Sequence, residues 1–194
     1  MKKSIALVII VAAAAGGWYA YRHFSGHIAI FKHSSSGPQA SNITIPMTIA
    51  SPVFGQGQPI PTKYTCDGDG VNPPLQIGNV PAQAQSLALI VDDPDAPGGT
   101  WTHWLLWNIP PTVTSIGENS VPPGAVQGQA SSGQNAFGAP CPPNGIHHYY
   151  FYLYALPEKL SISSFSDAAA LRKAIGGMAI AEAELMGTYG RSGR

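Results

Sequence analysis

A chain of 194 residues in which only 10% are charged carries less than half the roughly 25% charge of an average soluble domain. Its stability must come from apolar burial and turns, and its length suits one domain with an appendage. The formal net charge of zero hides an asymmetry: Lys2, Lys3, Arg22 and Lys32 stand at the N-terminal end without an acid, which leaves the remainder at about −4. Without a basic stripe to displace counterions, a body of that sign excludes nucleic acid as the main partner.

The chain opens with Lys2 and Lys3, followed by an uncharged apolar stretch from Ile5 to Ala20 and then Tyr21 and Arg22. A basic start, an apolar core and small residues from Ala12 to Gly17 predict an export segment over residues 1–24, either a signal peptide or an uncleaved signal anchor. In the anchor reading, residues 5–21 tether the protein to the membrane, and Trp18, Tyr19 and Tyr21 mark the interface. The remainder is then periplasmic or extracellular. Residues 25–42 lack sustained periodicity and end in Ser, Gly and Pro, so they are expected to be a flexible linker. His27 and His33 fall here and His23 just before, but such a segment supplies no fixed shell for a metal.

The folded body is expected over residues 43–194. ITIPMTIAS alternates as a strand does, the passage from Val53 to Gly70 is rich in turns, and NPPLQIGNVP is a short apolar piece between prolines. The apolar runs at 87–91 and 104–109 predict two buried strands. Between them, Asp92, Asp93 and Asp95 crowd a loop stiffened by Pro94 and Pro97 and reversed at Gly98 and Gly99, and His103 opens the second strand. Prolines preset the side-chain directions of such a loop, although acids beside prolines are also ordinary turn chemistry. Residues 112–136 have few large apolar groups and predict a long loop.

The stretch from Gly138 to Leu156 repeats this design. Pro140, Pro142 and Pro143 stiffen a loop, Gly145 frees it, and His147 opens an aromatic-rich strand, HHYYFYLYAL, that could be buried on both faces. If the two histidine strands share a sheet, both histidines come to the same end. After Pro157, Ser166 would cap a helical run, with Gly176 and Gly177 separating two short helices. Twenty-two glycines and 18 prolines fit strands joined by frequent turns, so the body is expected to be mainly β with terminal helices.

DPDAP at 93–97, THWLLWNIP at 102–110 and PCPPNGIHHYYFYLYAL at 140–156 together resemble the phosphatidylethanolamine-binding protein family, also called the Raf kinase inhibitor protein family, and in particular its bacterial and archaeal branch. The likeness runs over about residues 45–190 and takes in KYTCDG at 63–68, NPPL at 72–75 and AEAELMGTYGR at 181–191. It implies one large antiparallel sheet, a smaller second sheet and peripheral C-terminal helices. It also implies a small-anion pocket for phosphate or phosphorylethanolamine head groups, formed by Asp93, Pro97, Trp101, His103, Pro142, His147 and Tyr149, with Ala96–Pro97 as a cis bond. The chain departs from the family where His148 replaces an arginine, where Ile77 stands near a tryptophan position, and where Phe137 and Gly138 run almost directly into Pro140, shortening one pocket wall.

The chemistry expected of that pocket is anion binding without turnover or cofactor. Histidine N–H groups would donate to the anion, and Asp93 would accept from one ring, fixing its tautomer and favouring its charged form, so binding should tighten below about pH 6.5. Asp93, His103 and His147 could also serve a hydrolase, but no nucleophile elbow, phosphate loop or metal-ligand spacing accompanies them. An inhibitor acting through protein contacts is the other alternative. For an exported chain the target would be a protease rather than a cytosolic kinase, with the 112–136 loop as the only candidate by length. Cys66 and Cys141 are either a disulfide, which export would allow, or buried thiols.

Overall fold

The computed structural model describes residues 18–22, 28–32 and 45–191. The chain divides into two units, Met1–Thr44 and Ile45–Arg194. In the first, β1 (Trp18–Arg22) pairs antiparallel with β2 (Ile28–Lys32). Part of the expected linker is therefore a strand, built from the alternating IAIFK. Most of the expected export segment, and His23, His27 and His33, lie outside the described residues. Among the described residues no helix is long and apolar enough to cross a membrane.

In the second unit the strands are, in chain order, β3 (Thr48–Ala50), β4 (Gln58–Pro59), β5 (Leu75–Gly78), β6 (Ser86–Asp93), β7 (Trp101–Ile109), β8 (Ser115–Ile116), β9 (Val126–Gln127) and β10 (Ile146–Leu156), followed by helix α1 (Ala168–Ile175) and β11 (Ala181–Gly190). Six of them form one sheet in the order β4-β11-β10-β6-β7-β9, and β3-β5-β8 form a smaller sheet. Within the large sheet only the short β4–β11 pair is parallel.

The central strand β6 is buried along its whole length, because both faces of the large sheet are covered there. One face carries Leu87, Leu89, Val91, Trp104, Leu106, Tyr149, Phe151 and Leu153, packed with Met47, Ile49, Leu75 and Ile77 of the smaller-sheet region. The other carries Ala88, Ile90, Leu105 and Trp107, packed under Leu171 and Ile175 of α1. Burial of each large side chain contributes roughly 1.5–3 kcal/mol. In β10 the burial alternates, with Tyr150, Tyr152 and Tyr154 only half-buried, so one face of that strand is buried rather than both.

The C-terminal region corrects the expected pair of helices. Asp167, not Ser166, caps α1 by accepting from the Ala170 N–H at 2.9 Å. The helix stops after eight residues at Gly176, whose φ of 33° is left-handed. The second expected helix, over AEAELMGTYG, is instead β11, paired along its length with β10. A helix there would strand the β10 edge, and Gly187 shows how closely the strand is packed: a Cβ would lie 2.6 Å from Ile60 and 2.8 Å from Phe54. The long 112–136 loop also contains the two-residue strands β8 and β9, each docked on a sheet edge.

Candidate functional site

Strand topology gathers the site. Because β7 and β10 both run antiparallel to β6, the starts of β7 and β10 meet the end of β6. His103, His147 and Asp93 therefore share one end of the sheet. Asp92 and Asp93 are the last residues of β6, paired in register with Thr102 and Trp101; they belong to the sheet, and the proline-stiffened loop expected to carry them begins after Asp93.

Alternation alone would put His103 and Trp104 on opposite faces. The register instead slips between Val91–Trp104 and Asp92–Thr102, a β-bulge that leaves His103 as the extra residue. Bulges re-aim side chains in this way beside functional sites. His103 consequently turns to the Tyr149 face, its ring edge-on to Tyr149 with centroids 5.2 Å apart. Thr102 turns to the helix face, where its hydroxyl donates to Asp92 at 2.7 Å.

Four of the expected residues come together. His147 Nδ1 lies 2.7 Å from Asp93 Oδ2, and the His147 ring stacks with Tyr149 at 6.5 Å between centroids. Asp93 Oδ1 accepts the Asp95 N–H at 2.9 Å, so both carboxylate oxygens are engaged. His103 Nδ1 lies 2.7 Å from the Gly138 carbonyl, and the Gly138 N–H donates to the His103 carbonyl at 2.7 Å. Carbonyls and carboxylates only accept, so both histidines carry a proton on Nδ1. His103 and His147 are 5% and 6% exposed, and Tyr149 is fully buried.

His103 Nε2 is buried without a hydrogen-bond partner, while the equally buried Tyr149 hydroxyl lies close enough to Asp93 for that carboxylate to help hold its proton. Buried polar atoms are nearly always satisfied by protein, water or ligand, which sets His103 Nε2 apart. Burial pushes the His103 imidazole below its ordinary range, opposed by the Gly138 carbonyl and the charge of Asp93. Burial, and then the neighbouring Asp93 carboxylate, push the Tyr149 phenol far above its ordinary value. It stays a neutral donor at every physiological pH.

The other three expected residues are carried at the start of β7 and on the segments that follow β6 and precede β10. Trp101 sits at the start of β7, 43% exposed. Pro142 is buried in the segment leading to β10, and Pro97 is exposed on the turn after β6. The expected cis bond at Ala96–Pro97 is absent, every described peptide being trans. Cys66 and Cys141 form a disulfide with Cα atoms 5.3 Å apart. His148 donates through its backbone N–H to Asp95, and its ring Nδ1 lies 2.7 Å from the same oxygen, which draws the Asp95 carboxyl below its ordinary range. Gly138 is the contributor that the sequence did not single out, since it acts through its backbone. Among the described residues no group of His, Cys, Asp and Glu is placed to hold a metal. A cavity of about 230 Å³ lined by Val71, Trp104, Ser120, Gln127 and Phe137 is separate from the cluster.

The fold and the cluster define a mainly β protein of two sheets whose polar chemistry gathers at one sheet end. The chain belongs to the phosphatidylethanolamine-binding protein family, whose model matches residues 50–190. It is 43% identical over 150 residues to a UPF0098 protein of Methanothermobacter thermautotrophicus, covering 75% of this chain and 99% of that one. It is 42% identical over 146 residues to a Mycobacterium tuberculosis protein bearing the lipoprotein name LppC, covering 74% and 72% respectively. Among solved structures, a phosphatidylethanolamine-binding protein homologue from Chlamydia trachomatis matches with a TM-score of 0.73 and 43% identity, over 76% of this chain and 99% of that chain. YbcL of E. coli matches with a TM-score of 0.72 and 34% identity, over 76% and 100%.

Proposed function

We propose that the domain is an exported binding protein for a small phosphate-type anion. The observation that carries this is the buried, unpartnered His103 Nε2, set beside the buried Tyr149 ring and the His147–Asp93 pair. Tyr149 supplies a neutral hydroxyl, and His103 Nε2 supplies a second polar contact beside it. With no nucleophile in the cluster, binding and release suffice to describe its chemistry.

Export is supported by the basic, then apolar, N-terminal sequence, by the Cys66–Cys141 disulfide, which persists in oxidising compartments, and by the lipoprotein name of the mycobacterial relative. The test is calorimetric titration of the full-length protein with inorganic phosphate and phosphorylethanolamine at about pH 6, near the ordinary imidazole value. Saturable binding that is lost in both His103→Ala and Tyr149→Phe is the expected result. A folded protein that binds neither anion refutes the proposal.

A further inference from the structure

The cavity of about 230 Å³ beside β7 and β9 has walls that are held in place without an occupant. On one side Asn72, 4% exposed, ties two turns together. Its Nδ2 donates to the Gly117 carbonyl at 2.9 Å and its Oδ1 accepts the Ser120 N–H at 2.9 Å, and Val71 and Val121 beside them line the space. On the other side Trp104 Nε1 donates to Gln127 Oε1 at 2.6 Å, and the Phe137 ring stands edge-on to Trp104 with 5.6 Å between centroids. The Cys66–Cys141 disulfide joins the chain that enters the first wall to the chain that leaves the second. Such a cavity binds with little ordering cost.

The lining narrows the occupant. None of the described residues that form it is ionisable. Glu118, which adjoins the second turn, is taken by Lys63 at 2.6 Å and Tyr64 at 2.8 Å, and Asp69, which adjoins the first, is exposed to solvent. A charged ligand would shed water in the cavity and gain no counter-charge. Trp104 is 1% exposed, so the accessible aromatic surface belongs to the partly buried Phe137. Around it stand the aliphatic Val71 and Val121 and the side chains of Asn119, Ser120 and Gln127, whose amides and hydroxyl both donate and accept. A pyranose has the matching profile: a C–H face, an edge of hydroxyls that donate and accept, and no charge. The volume is below the roughly 300–1,000 Å³ that engulfs a drug-sized ligand, which suits one ring and not a chain. We propose that this cavity binds a single neutral sugar ring, either free or as the terminal unit of a glycan. No residue of the His103 cluster lines the cavity, so this site stands independently of the anion reading.

Amide spectra of the isotope-labelled full-length protein, titrated with methyl glucoside and N-acetylglucosamine, test the proposal. A ligand of about a dozen heavy atoms at ordinary ligand efficiency has a Kd on the order of 1 mM. Saturable shifts are expected at Val71, Ser120, Val121 and Phe137 and at the Trp104 indole N–H. The linear trimer of N-acetylglucosamine separates the two sources: tighter binding of the trimer points to a glycan end, and equal binding to a free sugar. Glucuronate, a similar ring with a carboxylate, should bind at least about tenfold more weakly than the glucoside. Val121 is 37% exposed, so Val121→Trp fills the mouth without entering the core. It should weaken binding at least about tenfold while leaving the unfolding transition in place. No shift at these positions up to about 20 mM sugar, some twenty times that Kd, would overturn the proposal. So would an equal response to glycerol, which would reveal a general polyol effect, or unchanged affinity in Val121→Trp. Glucuronate binding as tightly as the glucoside would refute the selection for a neutral ring. A larger response to N-acetylleucinamide would assign the cavity to an apolar side chain of a peptide, and shifts confined to His103 and His147 would place the sugar at the other cluster; either result overturns the proposal.

Discussion

His103 and Gly138 hold each other at two points, backbone N–H to carbonyl and ring Nδ1–H to carbonyl, both at 2.7 Å. A ring held this way in a buried position is kept neutral, and its protonation midpoint lies below the ordinary imidazole value. In the unfolded chain that value is about 6.5. Between the two midpoints the unfolded state binds more protons, so the stability contributed by neutral His103 is complete above about pH 6.5 and is lost as pH falls through the folded midpoint. Urea unfolding of the ligand-free protein should show stability declining on acidification across this window, with a shallower decline in His103→Gln. Nitrogen-15 spectra of the imidazole should show the Nδ1–H tautomer and a midpoint below 6.5. A midpoint at or above that value would contradict the buried, carbonyl-held geometry.

Asp93 supports His147 as Gly138 supports His103, but with a charge. Asp93→Ala leaves the His147 Nδ1–H and the Asp95 N–H without their acceptors, and each buried unsatisfied donor costs about 1–3 kcal/mol. A loss of about 2–4 kcal/mol in unfolding free energy is expected, since the Asp95 amide is near solvent and recovers part of its share. Asp93→Asn keeps an acceptor at only one of the two points, its amide nitrogen facing the other as a donor, and should recover only part of the loss. Equal losses in the two variants would mean that the charge, and not the hydrogen bonds, governs the site.

The Cys66–Cys141 bridge spans 75 residues in sequence and fastens the segment that carries Gly138 and Pro142 to the turn after Tyr64; beside it the Cys66 N–H donates to the Pro140 carbonyl at 3.1 Å. Closing a loop of that length stabilises by roughly 4 kcal/mol in the chain-entropy model, with about 2–4 typical. Cys66→Ser with Cys141→Ser should therefore lower stability by about 3 kcal/mol and also weaken anion binding, because the Gly138 carbonyl that fixes His103 loses its tether. Unfolding with and without reductant, alongside the double variant, measures the first; phosphate titration measures the second. A variant with full affinity would confine the bridge to a stabilising role.

Much of this was legible because burial writes itself into composition. LALIV and WLLW are apolar at every position, and they are the strands covered on both faces. Proline and glycine flank the histidines because tight segments enter both strands at the same sheet end. The tail was not legible, since AEAELMGTYG has residues that favour helices in isolation. Intrinsic preference is a weak prior that a ladder partner overrides, and β11 has β10 beside it for its whole length. Nor was the bulge at His103 visible, because a one-residue slip depends on what β6 presents opposite. Gly138 was silent for the same kind of reason: its contribution is a carbonyl, which every residue possesses.

The face opposite the site depends on one ion pair. Asp92 is 3% exposed, and its two oxygens are taken by the Thr102 hydroxyl and the Arg172 guanidinium of α1. Arg172→Ala would leave a buried carboxylate with one hydroxyl partner. Removing one member of a fully buried pair costs about 3–5 kcal/mol, but the Arg172 side chain is 43% exposed, so water replaces part of its effect. A loss of about 1–2 kcal/mol is expected. Arg172→Lys should recover only part of it, because a shorter point charge cannot match the guanidinium's reach and planar donors. If the pair also fixes the end of β6, Arg172→Ala should broaden the amide signals of Asp93 and Thr102 while leaving those of β5 and β8 unchanged. Unchanged Asp93 and Thr102 signals would show that the ladder between β6 and β7 holds the site without help from the helix.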